Sequence, residues 1–467
     1  MTRFSTISEI ASFCKENGFV FPSSEIYGGF AAVYDYGPYG VELKNNIANW
    51  WWETMVTTRR DTVGVDSGIC SARRVWEASG HADNFDDPQI DCKKCKARHR
   101  ADTLLESYGL ELDKAPIDEI NQSVAELREK GVEVKCPACG STNLTPARQF
   151  SLMVKTNLGA PTAELSNENA VFLRAETCQG IFTNYLNVLN TSRVKIPFGI
   201  AQIGKAFRNE IVARQFVFRT REFEQMEMQY FTPEEGSREL YDQWRETRRN
   251  WFLDMGIPAE RLRFHEHAKL AHYAKAASDI EYQFACLGDD FQEIEGIHMR
   301  GDWDLSRHQE FSGTKMLYQN PHGPNFLPHV VETSAGLNRA FLCVLDQAYR
   351  SEELEGGKRR NVLKLHPRLS PVKVAVFPLV KNKAPITEYA QKVFDDLSRK
   401  FAAEYDDHSN IGKRYRRQDE VGTPLCVTID FDTLENNEVT VRDRDTMEQV
   451  RVSADSLRSF VEDKIAS

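Results

Sequence analysis

Phe207-Arg208-Asn209-Glu210, followed after a short loop by Phe218-Arg219-Thr220-Arg221-Glu222-Phe223 and at once by Glu224-Gln225-Met226-Glu227, is the stretch from which the rest of the chain is read. Around it, β-branched and aromatic runs at 200–207, 217–223 and 226–231 alternate with charge, the mark of antiparallel strands with one covered face. Side chains two apart on a strand share a face, so Arg208 and Glu210 are expected to point the same way. The rigid donor fork of an arginine suits a carboxylate or a phosphate, and the ring of Phe223 offers a flat surface to a nucleobase. An exposed strand with surface ion pairs would carry the same residues.

Upstream, the spacing predicts helices over 9–17 and 41–59, the second carrying Trp50, Trp51 and Trp52, with a glycine-rich turn region at 27–40 between them. Cys92-Lys93-Lys94-Cys95 and Cys136-Pro137-Ala138-Cys139 flank a charged segment, 102–130, with helical spacing, and 88–150 reads as an insertion. A two-residue gap lets both thiolates of a knuckle reach one tetrahedral ion. Four thiolates favour zinc, and a fourfold protein shell leaves no open position, so Cys92, Cys95, Cys136 and Cys139 point to a structural ion. Four unligated thiols are the alternative. Cys14, Cys70, Cys178, Cys286, Cys343 and Cys426 share no spacing and are expected as small buried apolar residues. His265-Glu266-His267 lacks the His-Glu-x-x-His spacing of a helical zinc site.

Downstream, helices are expected at 234–254 and 270–277, strands near 280–284 and 292–297, a loop at 320–328, and a strand at 330–332 leading into a helix from Leu337. After a boundary near 365–371, a strand (372–379), a helix (386–403), a strand (425–429) and a last helix (454–465) alternate as a small α/β domain.

The 467 residues are 41% hydrophobic and 27% charged, and no apolar run approaches 18 residues, so a soluble protein with no membrane span is expected. The N-terminal stretch lacks the apolar centre of a secretory signal, which makes the cytoplasm the expected compartment and free or metal-bound thiols the expected state of the ten cysteines. A net charge of -10 argues against a protein that coats nucleic acid non-specifically. It leaves room for a specific RNA surface built on local basic patches such as Gly412-Lys413-Arg414-Tyr415-Arg416-Arg417, which also reads as an ordinary solvated face.

The segment about 200–231 resembles motif 2 of the class II aminoacyl-tRNA synthetases, in the form found in their glycyl family. Glu332-Thr333-Ser334-Ala335-Gly336-Leu337-Asn338-Arg339, within about 329–346, is similar to motif 3, with Thr333 where the family commonly has proline. Arg174-Ala175-Glu176-Thr177-Cys178-Gln179-Gly180 and Glu293-Ile294-Glu295-Gly296-Ile297 leading to Arg300 are similar to two further stretches of that family, with Ala175 and Cys178 as departures. The region about 36–81, with Arg73 in place of a proline, resembles motif 1.

The resemblance implies an α+β fold: an antiparallel class II catalytic core flanked by helices over 1–368, interrupted by a zinc-ribbon-like insertion at 88–150, and a C-terminal α/β anticodon-binding domain over 369–467. It implies an ATP-dependent ligase that activates glycine as an adenylate with Mg²⁺ and transfers it to tRNA(Gly), working as a homodimer through motif 1. By the same resemblance Arg208 and Arg339 are catalytic, Arg208 joining the α-phosphate to the glycine carboxylate and Arg339 meeting the γ-phosphate. ATP is implied at Arg208, Asn209, Glu210, Phe218, Arg219, Thr220, Arg221, Glu222, Phe223, Glu293, Ile294, Gly336, Leu337, Asn338 and Arg339, with Phe223 under adenine. Glycine is implied at Arg100, Glu176, Phe223, Glu224, Gln225, Met226, Glu227, Arg300, Glu332, Thr333, Ser334, Ala335 and Gly336. Lys413, Arg414, Arg416, Arg417, Arg442 and Arg444 are implied RNA contacts. A class II synthetase for another small amino acid and an inactive synthetase-like binding subunit are the rival readings. Retention of Arg208, Glu210, Glu227, Glu332 and Arg339 speaks against the second.

Overall fold

The computed structural model describes residues 2–112, 115–158, 170–211, 215–267, 270 and 274–466. In chain order the strands of its central sheet are β1 (Thr62–Gly64), β2 (Phe198–Phe207), β3 (Glu222–Thr232), β4 (Leu262–Glu266), β5 (Ala276–Phe284), β6 (Asp290–Gly301) and β7 (His329–Gly336), arranged β4-β5-β6-β7-β3-β2-β1. β1 runs parallel to β2 at one edge, and the other pairings are antiparallel.

Register decides what faces what. Gln202 lies opposite Glu227, Glu227 opposite Ser334, and Ser334 opposite Gly296, forming one row across four strands. Two residues along, Gln229, Glu332 and His298 form a second row, which the period of two puts on the same face. The residues between them, Met228, Thr333 and Ile297, point the other way. On that opposite face Met226, Met228, Ile294, Ile297 and Ala335 join one core with α1 (Pro38–Trp52), α3 (Ser237–Asp254) and α5 (Leu337–Ala348). Each of these methionine and isoleucine side chains contributes about 1.5–3 kcal/mol by leaving water. On the polar face, α2 (Cys178–Ser192) and α4 (Trp303–Ser312) cover one end, where Ile181, Phe182, Tyr185 and Leu305 pack on Phe198, Ile200, Phe231 and Val330. The polar rows are left open beside that cover.

A bulge shapes the β5–β6 pair: Ile280 faces Glu295 while Glu281 faces Glu293, so β6 carries one extra residue. Ile294 and Glu295 are therefore both fully buried on the core side, whereas Glu293 and Gly296 face the open side. Glu295 is matched by Arg248 of α3, Nε to Oε1 at 2.6 Å and Nη2 to Oε2 at 3.1 Å. α1 starts with Pro38 in its first turn, where a missing N–H costs nothing. It packs so closely on the preceding chain that a Cβ at Gly40 would lie 1.8 Å from the carbonyl of Phe19.

Several local expectations are corrected. Residues 217–223 are not a strand: Phe216–Phe218 form a tight 3-10 turn that buries Phe216, Val217 and Phe218 in the main core, and β3 begins at Glu222. The expected helix at 270–277 lies partly outside the described residues, and its end, Ala276 and Ala277, opens β5. The helix expected to reach 403 stops at Ser398, and Ala403–Tyr405 is an edge strand. Thr333 supplies an N–H in the centre of the sheet, paired between Met228 and Ile297, where a proline would remove a ladder donor.

The stretch 86–151 forms a three-stranded sheet from Asp86–Asp91, Arg98–Arg100 and Arg148–Ser151 with helices Ala101–Glu106 and Ile117–Glu129, around Ile90, Leu104, Leu105 and Ile120. The C-terminal part carries a five-stranded sheet in the order Ala403–Tyr405, Val374–Pro378, Leu425–Ile429, Glu438–Asp443, Gln449–Ser453, the first three parallel and the last two antiparallel. Its helix Ile411–Val421 was not foreseen, although Asn410 caps it by accepting from the Lys413 N–H at 3.0 Å. No helix of the described residues is long and apolar enough to cross a membrane.

Candidate active site

The two polar rows floor a cavity of about 250 Å³ lined by Glu176, Arg208, Glu210, Val217, Phe218, Arg219, Thr220, Phe223, Glu224, Gln225, Glu227, Glu293, Gly296, His298, Arg300, Glu332, Ser334, Gly336, Asn338 and Arg339. Its chemistry divides in two. One end holds carboxylates, the other guanidinium groups and aromatic rings.

At the carboxylate end Glu227 accepts from Ser334 Oγ at 2.7 Å, from Gln225 Nε2 at 3.0 Å and from Thr177 Oγ1. Glu332 accepts from Gln229 Nε2 at 2.8 Å and from Arg300 Nη1 at 3.1 Å, and pairs with His298 Nδ1 at 2.7 Å. Arg300 is anchored in turn by Asp304, Nε to Oδ2 at 2.7 Å and Nη2 to Oδ1 at 2.9 Å. Glu176, at the start of α2, accepts from Cys178 Sγ at 2.9 Å and Gln179 Nε2 at 3.0 Å, and faces His81 Nε2 at 3.3 Å. The departure Cys178 thus gives Glu176 an extra donor.

Three carboxyl groups this close cannot share one ionisation behaviour. Burial, then the charges of Glu332 and Glu176, push Glu227 up to about 7, with the Ser334 and Thr177 hydrogen bonds pulling back. Glu332 feels the same burial, but Arg300 and His298 hold it down to about 2. Burial also opposes ionisation of Glu176, and the His81 charge and hydrogen bond with Arg300 outweigh it, leaving that carboxyl well below its usual range. Of the three carboxyls, Glu227 is thus the one that holds its proton most tightly, because burial and its two acidic neighbours outweigh its hydrogen bonds.

At the other end, the Arg208 guanidinium lies 5.3 Å from the ring centroids of both Phe85 and Phe223, its Nε donating to the Ala175 carbonyl at 3.1 Å. Arg339, in the first turn of α5, reaches the Glu293 carboxylate at 3.0 Å and its carbonyl at 2.9 Å, stacked 4.5 Å from the Phe218 ring. The Arg339 charge leads the effects that hold Glu293 below its ordinary value, against burial. Asn338 Oδ1 accepts from the Glu224 N–H at 2.9 Å, tying the first turn of α5 to β3, and Glu224 itself pairs with Lys44 at 2.7 Å. The seat of Arg174 beside β2 requires Gly204, since a Cβ there would lie 2.2 Å from Arg174 Nη2.

Several expected site residues do not reach the cavity wall. Met226, Ile294 and Ala335 are fully buried on the core face, because strand alternation and the β6 bulge turn them away, Leu337 is fully buried at the start of α5, and Thr333 is buried in the same layer of the sheet. Arg221 braces the loop, donating to the Glu210 carbonyl at 3.3 Å, Glu222 pairs with Lys205, and the Asn209 N–H donates to Leu152 at 2.8 Å. Arg100 lies on Asp102 and, at 3.3 Å, Asp87, outside the cavity lining. Val217, Gly296 and His298 were missed. His298 and Gly296 were within reach, since they share the strand parity of Arg300.

Of the expected RNA contacts, Arg414, Arg442 and Arg444 are buried. Arg414 donates to the carbonyls of His408, Asp407 and Ser409 at 3.2, 2.9 and 2.9 Å, Arg442 binds Asp419 at 2.9 Å, and Arg444 binds the carbonyl of Leu365 at 2.8 Å. Lys413 and Arg416 remain exposed on the helix.

The four cysteine sulfurs lie within 4.8 Å of one another. Both knuckles are built alike: the Lys96 N–H returns to Cys92 O and the Gly140 N–H to Cys136 O, and both closing residues are left-handed, φ 62° and 69°. His99 Nε2 lies 3.2 Å from Cys136 Sγ. Converging soft donors on two matched turns fit a tetrahedral zinc ion.

Residues 162–348 match the tRNA synthetase class II core domain (G, H, P, S and T), and residues 373–464 match the anticodon binding domain. Along nearly the whole chain it is similar to glycine-tRNA ligases: 48% identical over 465 residues to that of Caldanaerobacter subterraneus subsp. tengcongensis (98% of each chain). It is 49% identical over 466 residues to that of Borrelia hermsii (98% of this chain, 97% of the other) and 47% over 470 to that of Geobacillus kaustophilus (99% of each). A two-row carboxylate pocket in an antiparallel sheet, continuous with an arginine-bearing cleft and followed by an anticodon-binding fold, is thus carried by a chain that belongs to the glycine-tRNA ligase family of class II tRNA synthetases.

Proposed function

We propose that the protein is an ATP-dependent ligase that activates glycine as glycyl-adenylate, releasing pyrophosphate, and then transfers glycine to the 3′ end of tRNA(Gly). The observation that carries the reading is the meeting of Glu176, Glu227, Glu332 and Ser334 with Arg208 and Arg339 in one cavity. Glycine offers an ammonium and a carboxylate and nothing else, so its recognition needs charge capture at one end and crowding around the α-carbon.

In activation the glycine carboxylate attacks the α-phosphorus of ATP in line with the departing pyrophosphate. Two anions must meet, and positioning with charge neutralisation dominates the barrier. Arg208, held between two rings, bridges carboxylate and α-phosphate. Arg339 exchanges its Glu293 partner for the γ-phosphate, and Phe223 offers its ring to adenine. Mg²⁺, when bound, neutralises phosphate charge, with Glu293 as its indirect partner. Glu227 deprotonates as the ammonium settles against Ser334, Glu332 and Glu176. A bound zinc at Cys92, Cys95, Cys136 and Cys139 holds the 88–150 insertion together and takes no part in chemistry. Residues 1–368 form the catalytic part, interrupted by that insertion, and 369–467 the anticodon-binding part, of a cytoplasmic homodimer.

The test is amino-acid-dependent ATP–pyrophosphate exchange without tRNA, comparing glycine with alanine, serine, proline and threonine. Exchange with glycine alone is expected, and exchange with another amino acid instead would reassign the substrate. Silence with all five would favour an inactive binding subunit.

A further inference from the structure

His298 lines the cavity beside Glu332, and the mechanism above gives it no work. Its ring lies over Gly296 on the same strand, where a Cβ would sit 2.7 Å from Cε1, and its Nδ1 is 2.7 Å from Glu332 Oε2. The guanidinium of Arg300 is already matched by two bonds to Asp304, so Glu332 shares that cation and has His298 as its second positive partner. Behind His298, the His267 ring lies 6.2 Å away, itself held by Asp279 at 2.8 Å.

We propose that His298 is a positioning residue that stands in for the substrate ammonium: as an imidazolium it holds Glu332 in the empty pocket, and it releases its proton to solvent when the ammonium of glycine arrives. The idea rests on reading this pocket as the glycine site. Buried carboxylates without a counter-charge are costly, and an empty ammonium site exposes the fold to that cost on every turnover. A removable proton on an imidazole supplies the charge and leaves without any movement of the chain. The groups facing the ring are Glu332 on β7, Asp279 on β5, Arg300 and Glu293 on its own strand β6, and His267 beyond β4. Burial lowers the proton affinity of the ring, but the Glu332 hydrogen bond and charge, with Asp279, raise it overall against Arg300. An ammonium beside Glu332 competes for that same carboxylate, and its charge offsets the one freed on Glu227, so the ring loses the bonded partner that raised its proton affinity. The ring keeps 19% of its side-chain surface open, a path for the proton to leave.

The experiment uses the full-length protein and glycine itself. Glycine KM is measured by ATP–pyrophosphate exchange at saturating ATP from pH 6 to 8 for the wild type and His298→Gln, whose amide still donates to Glu332 but cannot titrate. The ratio of the variant KM to the wild-type KM is expected to fall by up to about tenfold from pH 8 to pH 6, because only the wild type must shed the imidazole proton. A ratio independent of pH, with both proteins active, overturns the proposal. If His298→Gln is inactive, NMR of the ¹³C-histidine-labelled wild type decides: glycine is expected to move one imidazole resonance toward its neutral form at pH 7, and no such shift overturns the proposal. Glu332→Gln separates the two levels, since an unchanged glycine KM there overturns both this role and the pocket reading. A raised KM there with a pH-independent His298→Gln ratio overturns the stand-in role alone.

Discussion

Glu227 and Glu332 sit one alternation apart on neighbouring strands, and their surroundings shift their proton affinities in opposite directions. Because Glu227 is raised to about 7, it is protonated below that value, and the pocket must lose this proton before it can pair with an ammonium. The Glu227 proton by itself is therefore expected to raise glycine KM by up to about tenfold per unit as pH falls below 7, with the KM for ATP flat, in exchange assays across pH 6 to 8. Glu227→Gln is expected to raise glycine KM about tenfold to a hundredfold at pH 8, the worth of a charged hydrogen bond, and to remove the Glu227 share of the pH dependence. Glu332, held at about 2, contributes stability that is complete above the ordinary carboxylate range and is lost as pH falls through that range toward 2. Arg208→Ala is expected to cut glycine-dependent exchange by at least about 10² to 10³-fold, the usual loss of a positioned charge donor. Met226 marks the limit of motif reading. Its place beside Glu227 made it a glycine contact in the sequence, yet it is fully buried on the opposite face. Met226→Leu is accordingly expected to leave glycine KM unchanged and to cost under about 1.5 kcal/mol in a denaturant titration.

At the scale of elements, the motif strands were legible because their side chains repeat every two residues, and a missed turn changes little in that pattern. The 3-10 turn at Phe216–Phe218 was not legible, since three apolar residues in a row read as strand whether they extend or curl into a core. The β6 bulge was equally hidden, although it decides that Glu293 faces the cavity while Glu295 is buried against Arg248. That pair is isolated from water on both sides, its side chains 1% and 0% exposed. Arg248→Met should destabilise the protein by about 3–5 kcal/mol by stranding Glu295, whereas adding Glu295→Leu to it should restore most of the loss. Chemical denaturation of both variants checks this, and a double variant no more stable than the single one would contradict it.

For the whole molecule, two arginines and an aspartate fasten the C-terminal sheet to the rest: Arg360, on the hairpin strand Arg359–Leu363, binds Asp419 at 2.8 Å, and Arg442 binds the same carboxylate at 2.9 Å. Asp419→Ala is expected to reduce tRNA charging several-fold more than tRNA-independent exchange, because it loosens the junction and leaves the pocket alone. Zinc content by mass spectrometry should be about one ion per chain, and Cys136→Ser should lose it and open 88–150 to proteolysis. The sequence by itself determined the antiparallel strands, the cysteine pairs and the carboxylate and arginine inventory, because strand periodicity and residue chemistry are local properties, while its resemblance to the class II synthetases implied the fold class and the order of motifs. Only the tertiary structure decided which neighbours of those residues turn into the core, that His298 faces Glu332, that Arg414, Arg442 and Arg444 are internal braces, and that three carboxyl groups titrate apart. Those outcomes depend on register, a bulge and burial, which arise when strands distant in the chain come side by side.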